Sequence, residues 1–129
     1  MITVVPIQQK ELQKELCARC NVTYDPDLLA YYAKDTEGRF AGICQFKMDE
    51  NGGHLLSLAA PEGTDMPDPL FVMGRTALNF IDLCGVKTAY FEGENVDEAL
   101  LLRIGFAKDE NGRYGINLDG FFTGGCKCH

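Results

Sequence analysis

Residues 28–60 read LLAYYAKDTEGRFAGICQFKMDENGGHLLSLAA, and their pattern decides the fold. Three stretches rich in aromatic and aliphatic residues are separated at residues 35–38 and 49–53 by Asp, Asn, Glu, Thr and Gly. Asp, Asn and Gly favour tight turns, because Gly adopts positive φ and the short polar side chains hydrogen-bond to nearby backbone. The segment is therefore predicted to form three consecutive antiparallel strands.

The middle strand of this meander presents two different faces. On one face Ala41 and Ile43 give way to Gln45 and Lys47, so the far end of that face is expected to reach solvent. The other face is expected to lie against a core in which Cys44 is a small buried residue. Its members are Phe40, Gly42, Cys44, Phe46 and Met48.

On the N-terminal side of the meander, residues 11–20 carry apolar side chains at helical spacing and are predicted to form a helix. The apolar run at residues 2–7 is too short and too interrupted for a secretory signal. No stretch approaches the roughly 18 apolar residues that cross a bilayer. A cytoplasmic protein without a membrane segment is expected.

On the C-terminal side, residues 61–69 contain three prolines and are expected to form a loop. A helix over 70–84 follows, and Gly85 ends it because Gly readily adopts the left-handed conformation. The helical period of this segment assigns Cys84 to the core. The remaining elements are a strand over 87–91, a helix capped by Asn95 and a hairpin that turns at Asn111 and Gly112.

The predicted order is helix, antiparallel meander, helix, strand, helix and terminal hairpin. This order indicates a single α/β domain with a mixed, mostly antiparallel central sheet flanked by helices. The domain is expected to span residues 1–122, and residues 123–129 are expected to form a tail that contains Cys and His.

The composition fits one ordinary globular domain. The chain has 129 residues, of which 46% are hydrophobic and 24% charged. Its formal net charge of −7 argues against nucleic acid or an anionic membrane surface as a partner. The six cysteines are expected to stay reduced in the cytoplasm, so they are core residues, metal ligands or redox groups before they are disulfides.

The chain resembles the GNAT superfamily of N-acetyltransferases, which transfer an acetyl group from acetyl-CoA to an amine. By element order the resemblance covers residues 28–122. It is sharpest at residues 99–106, ALLLRIGF, which look like the last helix of the family and the Gly-Phe start of the next strand. Residues 117–122, NLDGFF, are similar to endings common in the family.

The resemblance implies acetyl-CoA as a co-substrate, with its pyrophosphate at the start of the long helix. The family signature is Gln or Arg, any two residues, Gly, any one residue, and then Gly or Ala. The small residues are needed because they let backbone N–H groups at the helix start approach the phosphate closely. Laid onto this chain it falls on Pro69, Val72 and Gly74, of which only Gly74 matches, and a glycine there can equally serve close helix packing. The cofactor-binding residues that the resemblance implies are Leu58, Ala60, Met73, Gly74, Arg75, Thr76 and Asn95.

For catalysis, the resemblance places a proton-donating tyrosine where this chain has Leu101. The amine must also lose a proton, and Glu92, at the end of a strand beside the expected cleft, is the catalytic candidate. His54, at the start of its strand, is expected to be an exposed histidine. The other local candidates are Ser57 and Glu94.

Three functions follow from these residues. The first is an N-acetyltransferase acting on a small-molecule or protein amine, with a homodimer as one possible assembly. The second is a GNAT-like binding or regulatory module that has lost catalysis. The third is a metal or redox accessory protein, with zinc as the metal. Its ligands would be Cys17, Cys20, Cys126, Cys128 and His129.

Overall fold

The computed structural model of the chain describes residues 1–64, 66–94 and 96–122. The helices are α1 (Lys10–Arg19), α2 (Asp68–Leu83) and α3 (Glu98–Ile104). The strands are β1 (Thr3–Pro6), β2 (Leu29–Lys34), β3 (Phe40–Asp49), β4 (Gly52–Ala59), β5 (Thr88–Phe91), β6 (Ala107–Lys108) and β7 (Tyr114–Asn117).

The strands form one sheet in the order β1-β2-β3-β4-β5-β7-β6. Neighbouring strands are antiparallel except β4 and β5, which run parallel. The sheet separates two cores: Cys44 packs with the residues of α2 and α3, whereas the adjacent Ile43 packs with those of α1. Successive strand residues point to opposite faces, so α1 lies on one face of the sheet and α2 and α3 on the other. The predicted mixed α/β domain is confirmed.

The structure adds strand β1, which the sequence did not predict. Its four residues pair with β2 at the edge of the sheet. The segment is short and ends in Pro6, which is tolerated on an edge strand because a proline has no N–H to donate to a ladder. Because the strand is short and ends in a proline, its sequence has no recognisable strand pattern.

Two predictions at helix ends were wrong. Helix α3 begins at Glu98 with Asp97 as its N-cap, whose Oδ1 accepts a hydrogen bond from Ala99 N at 3.3 Å. The predicted cap, Asn95, lies outside the described residues. Helix α2 ends before Cys84, which is exposed because it belongs to the turn that Gly85 closes with a φ of +89°.

Gln45, predicted to lie near solvent, is fully buried. Its Oε1 accepts hydrogen bonds from Gln13 Nε2 at 2.8 Å and from Asp25 N at 3.3 Å. Its Nε2 donates to Thr23 O at 2.8 Å and to Ser57 Oγ at 2.9 Å. Helix α1 and the loop after it cover this end of β3, and one amide group holds helix, loop, β3 and β4 together.

Replacing Gln45 with Met is expected to lower the free energy of unfolding by roughly 2–4 kcal/mol, because each buried polar partner left unpaired costs about 1–3 kcal/mol. Lys47→Met is the matched control: Lys47 lies two residues further along β3 and is exposed. Its effect should stay within about 0.5 kcal/mol. Urea unfolding of both variants measures the difference, and equal effects would show that the network does not stabilise the fold.

Candidate functional site

The candidate site lies where the parallel strands β4 and β5 separate. They are paired as far as Leu55 and Phe91, and Glu92 N donates to Leu55 O at 2.8 Å. Strand β4 then continues to Ala59, and among the described residues no strand pairs with it on that side. Ligands commonly bind beyond the carboxyl ends of strands in sheets of this kind.

A bulge in β4 marks this separation. Phe46 pairs with Leu55 and Gln45 with Ser57, so Leu56 is the extra residue between the two pairs. Bulges re-aim the side chains that follow them. Gly93 lies against the bulge: a Cβ there would be 2.7 Å from Leu56 O, so the backbone approach requires glycine.

The first cavity has a volume of about 450 Å³ and lies between the end of β4 and the starts of α2 and α3. Leu58 and Ala59 of β4 and the following Ala60 form one wall, so two of the predicted cofactor-binding residues, Leu58 and Ala60, line it. Glu94 and Asp97 are the acidic residues among the described lining, and no Lys or Arg is present in it.

Met73 and Gly74 do not lie at the start of the long helix, which corrects the predicted position of the phosphate site. Helix α2 begins at Asp68, so their N–H groups fall inside the helix rather than among its free first-turn donors. Met73 is fully buried. A Cβ on Gly74 would be 2.7 Å from Ile104 Cδ1, so this glycine permits close packing of α2 on α3.

Arg75 and Thr76 are also engaged away from the first cavity. Arg75 Nε donates to Ile104 O at 2.6 Å, a carbonyl at the end of α3, and the guanidinium lies 5.0 Å from the centre of the Phe121 ring. Thr76 Oγ1 donates to Val72 O at 2.8 Å within α2. Neither residue lines the first cavity.

The true first turn of α2 is poor in hydrogen-bond donors. Pro67 is its N-cap and Pro69 its second residue, and neither has an N–H. Of the four N–H positions that a helix leaves free, only Asp68 and Leu70 therefore carry a donor. The Asp68 carboxylate accepts from Arg103 Nη1 at 3.1 Å.

A second cavity of about 340 Å³ adjoins the first, with which it shares Asn21, Val22 and Glu94. Its described lining includes the buried side chains of Gln45 and Ser57. Three carboxylates also line it: Asp25, Glu92 and Glu94.

Two of the three residues that the cavities share, Asn21 and Val22, directly follow the C-cap of α1. Asn21 has a φ of +58°, and the N–H groups of Asn21 and Val22 donate to the carbonyls of Ala18 and Cys17. This is a Schellman ending, in which Asn replaces the more common glycine. Neither residue was predicted from the sequence, although an Asn directly after an amphipathic helix is the signal for such a turn.

Glu92 and His54 form the charged centre beside the second cavity. His54 Nδ1 lies 2.7 Å from Glu92 Oε2, and His54 Nε2 lies 3.0 Å from Asp49 Oδ1. Carboxylates accept, so both ring nitrogens donate and the imidazole carries a positive charge. Arg113 Nη2 also donates to Glu92 Oε2, at 3.2 Å. Among the described residues all side-chain hydrogen bonds of Glu92 use Oε2, which leaves Oε1 for a molecule in the cavity.

The prediction of an exposed histidine at position 54 was wrong, because only 6% of His54 is accessible to solvent. Burial opposes its protonation, but the hydrogen bonds and charges of Glu92 and Asp49 outweigh burial and raise the pKa of His54. The Tyr90 ring packs against the imidazole at a centroid distance of 5.9 Å.

The cysteines of the metal and redox hypothesis divide into two groups. Cys17 and Cys20 are buried in the core beneath α1, and burial raises the pKa of each thiol to about 11. Both therefore stay protonated at neutral pH, which disfavours metal binding and thiolate chemistry. The other ligands, Cys126, Cys128 and His129, lie outside the described residues. Within the described part of the chain, no group of three potential metal ligands comes together.

His54 gives a testable pH dependence of stability. Its pKa in the folded protein is raised above the ordinary value of 6.5, so its ion pairs stabilise the fold fully below that pH and lose their effect as pH rises through the folded-state pKa. The free energy of unfolding should therefore fall with rising pH in the wild type relative to His54→Gln. Urea unfolding between about pH 6 and pH 10 measures this difference; parallel curves for the two proteins would contradict a charged His54.

Solved structures of acetyltransferases share this architecture. The IAA acetyltransferase from Bacillus cereus is 17% identical, with a TM-score of 0.71 over 92% of this chain and 100% of that chain. The spermidine/spermine N-acetyltransferase SpeG from Vibrio cholerae is 12% identical, with a TM-score of 0.70 over 97% and 99%. The GNAT-family N-acetyltransferase YhbS from Escherichia coli, solved with CoA, is 18% identical, with a TM-score of 0.68 over 95% and 85%.

No protein-family model matches the sequence, and no curated protein sequence matches it either. In the described residues, no helix combines the length and the apolar character needed to cross a membrane. The likeness lies in the order and packing of helices and strands, and it covers nearly all of both chains in the first two comparisons. The chain is therefore a single GNAT-like domain with the fold of the GNAT N-acetyltransferases.

Proposed function

We propose that the chain is an N-acetyltransferase that moves an acetyl group from a thioester donor, acetyl-CoA in the first instance, to an amine. The observation that carries this proposal is the pair of adjoining cavities at the separation of β4 and β5, with a largely apolar strand wall in one and Glu92 in the other. The shared fold of acetyltransferases, one of them solved with CoA, supports it.

The first cavity suits the thioester end of the donor. Past Leu55 the β4 edge has no strand partner among the described residues, so its backbone can pair with amide groups of an extended arm. Leu58 and Ala59 offer apolar contacts to the methylene groups of that arm. The pantetheine portion of acetyl-CoA, an amide-containing chain that ends in sulfur, fits this chemistry.

The second cavity suits the acceptor. Asp25 and Glu94 add negative charge to its lining, which favours an amine that arrives protonated or carries a further positive charge. Both a small polyamine and the amino group of a peptide meet this requirement.

In the proposed reaction, Glu92 Oε1 accepts a proton from the ammonium group of the acceptor, directly or through one water. The neutral nitrogen then attacks the thioester carbonyl carbon, and the C–N bond forms. The tetrahedral intermediate collapses as the C–S bond breaks and the thiolate leaves. The nitrogen loses its remaining extra proton, which returns to the thiolate through water. Leu101, buried where the family has tyrosine, cannot supply that proton.

His54 and Arg113 are positioning residues in this scheme. Both donate to Glu92 Oε2, at 2.7 Å and 3.2 Å, and so fix the orientation of the carboxylate while Oε1 stays available. A carboxylate held by two donors loses little freedom when it meets the amine.

Glu92→Gln is expected to lower kcat by about 10²–10⁴-fold, because the amide cannot accept the proton. The assay follows thiol release from acetyl-CoA with spermidine, lysine and a short peptide with a free N-terminus as acceptors. Glu110→Gln is the matched control. Glu110 is exposed in the turn between β6 and β7 and lines neither the first nor the second cavity.

If no acceptor in this panel raises thiol release above hydrolysis while the protein is folded, the transferase proposal fails and the inactive-module hypothesis takes its place. If Glu92→Gln and Glu110→Gln have the same activity, Glu92 is not the base. Circular dichroism of each variant confirms that the fold is intact.

A further inference from the structure

We propose that this transferase recognises its donor by the acyl thioester and the arm that carries it, and makes no use of the diphosphate of CoA. The inference rests on the proposed function and concerns the choice of donor within it. The donor class is an acyl group on a pantetheine-like thiol, with or without a nucleotide attached. The first cavity and the start of α2 are the observations that carry it.

The first observation is the loss of N–H donors where α2 begins. A helix start binds phosphate because its free N–H groups point at the anion and its dipole favours negative charge. In α2, Pro67 and Pro69 remove two of these four donors. The two that remain, on Asp68 and Leu70, flank the Pro69 ring and cannot act as a continuous cradle.

The second observation is the sign of the charge around the same helix start. Asp68 places a carboxylate on its first residue, and Glu94 and Asp97 line the facing wall of the cavity. A diphosphate brought to this point would meet the exposed carboxylates of Glu94 and Asp97, and like charges repel, with water and salt screening the effect.

The third observation is that Arg75 and Arg103, two cations on α2 and α3, are already engaged. Arg103 Nη1 is paired with Asp68 at 3.1 Å, and its guanidinium lies 4.3 Å from the Phe71 ring centre. Arg75 Nε donates to Ile104 O, and its guanidinium lies near the ring of Phe71 as well. Moving either guanidinium to a phosphate would cost it these contacts.

The arm-binding half of the cavity is intact by contrast. The β4 edge past the bulge is free to pair, and Leu58, Ala59 and Leu70 offer apolar surface. Recognition energy therefore comes from the thioester and its arm, while the nucleotide adds none. The geometry therefore predicts that donors with and without a diphosphate beyond the arm are recognised about equally.

The experiment compares acetyl-CoA with S-acetyl-pantetheine at a fixed, saturating acceptor, and measures CoA and pantetheine binding by calorimetry under reducing conditions. We expect kcat/KM and Kd for the two compounds to agree within about threefold, since the diphosphate contributes no net attraction. Added salt should leave the KM of acetyl-CoA unchanged or lower it, because salt screens repulsion. A preference of tenfold or more for acetyl-CoA, or a KM that rises steeply with salt, would overturn the inference.

A variant pair tests the cause. Pro67→Ala/Pro69→Ala restores both N–H groups and suits a helix start, so the affinity for CoA relative to pantetheine should rise by about three- to tenfold. Pro6→Ala, on the edge strand β1 and outside the described lining of both cavities, is the matched control and should leave that ratio unchanged. A ratio that stays at one in the double variant, with circular dichroism showing an intact fold, would mean that the missing donors are not the reason.

The failure of this inference is distinct from the failure of the proposed function. If neither compound binds and neither supports transfer to any acceptor, the transferase itself is refuted. If acetyl-CoA works well and S-acetyl-pantetheine works poorly, the transferase stands and the donor inference falls.

Discussion

The parallel pairing of β4 with β5 is the constraint on which the rest of the site depends. Every other neighbouring pair of strands in the described sheet is antiparallel. Two parallel strands end at the same edge, and here the bulge at Leu56 directs β4 away from β5 once Glu92 N has paired with Leu55 O. Among the described residues no strand bridges the gap between them, and the two adjoining cavities lie there.

The order of the central strands was predictable because it is encoded locally. Turn residues at 35–38 and 49–53 separate stretches of apolar side chains, and the meander formed as predicted. Strand β1 was not predictable on the same basis, since four residues that end in Pro6 acquire their role only from pairing with β2. The burial of Gln45 also depends on distant residues: nothing near it in the sequence reveals that Gln13 and Thr23 satisfy its amide.

The same distinction applies to the site. Glu92 became the catalytic candidate from its position at the end of a strand, whereas the environment of His54 was not predictable, because its partners include a residue 38 positions away. The phosphate signature was laid onto Pro69, Val72 and Gly74, with residues 61–69 read as a loop before the helix. Helix α2 instead begins at Asp68 with Pro67 as its N-cap, so Gly74 lies inside the helix and not at its start. Gly74 serves the contact with Ile104, the alternative that a lone glycine in a helix always leaves open.

The negative charge of the chain has a specific consequence at this site. In the proposed reaction, Asp25 and Glu94 attract a cationic acceptor amine, and Glu92 takes its proton. Around the donor, Glu94 and Asp97 also line the first cavity, so the same negative potential acts on whatever the thioester carries. A field that concentrates a cationic acceptor necessarily repels an anionic donor group at short range, unless local donors or cations compensate. Pro67 and Pro69 withhold those donors, and Arg103 already neutralises Asp68. The negative charge that attracts a cationic acceptor is therefore the physical reason for the donor inference. We expect the thioester and its arm to be recognised and a diphosphate beyond the arm not to be.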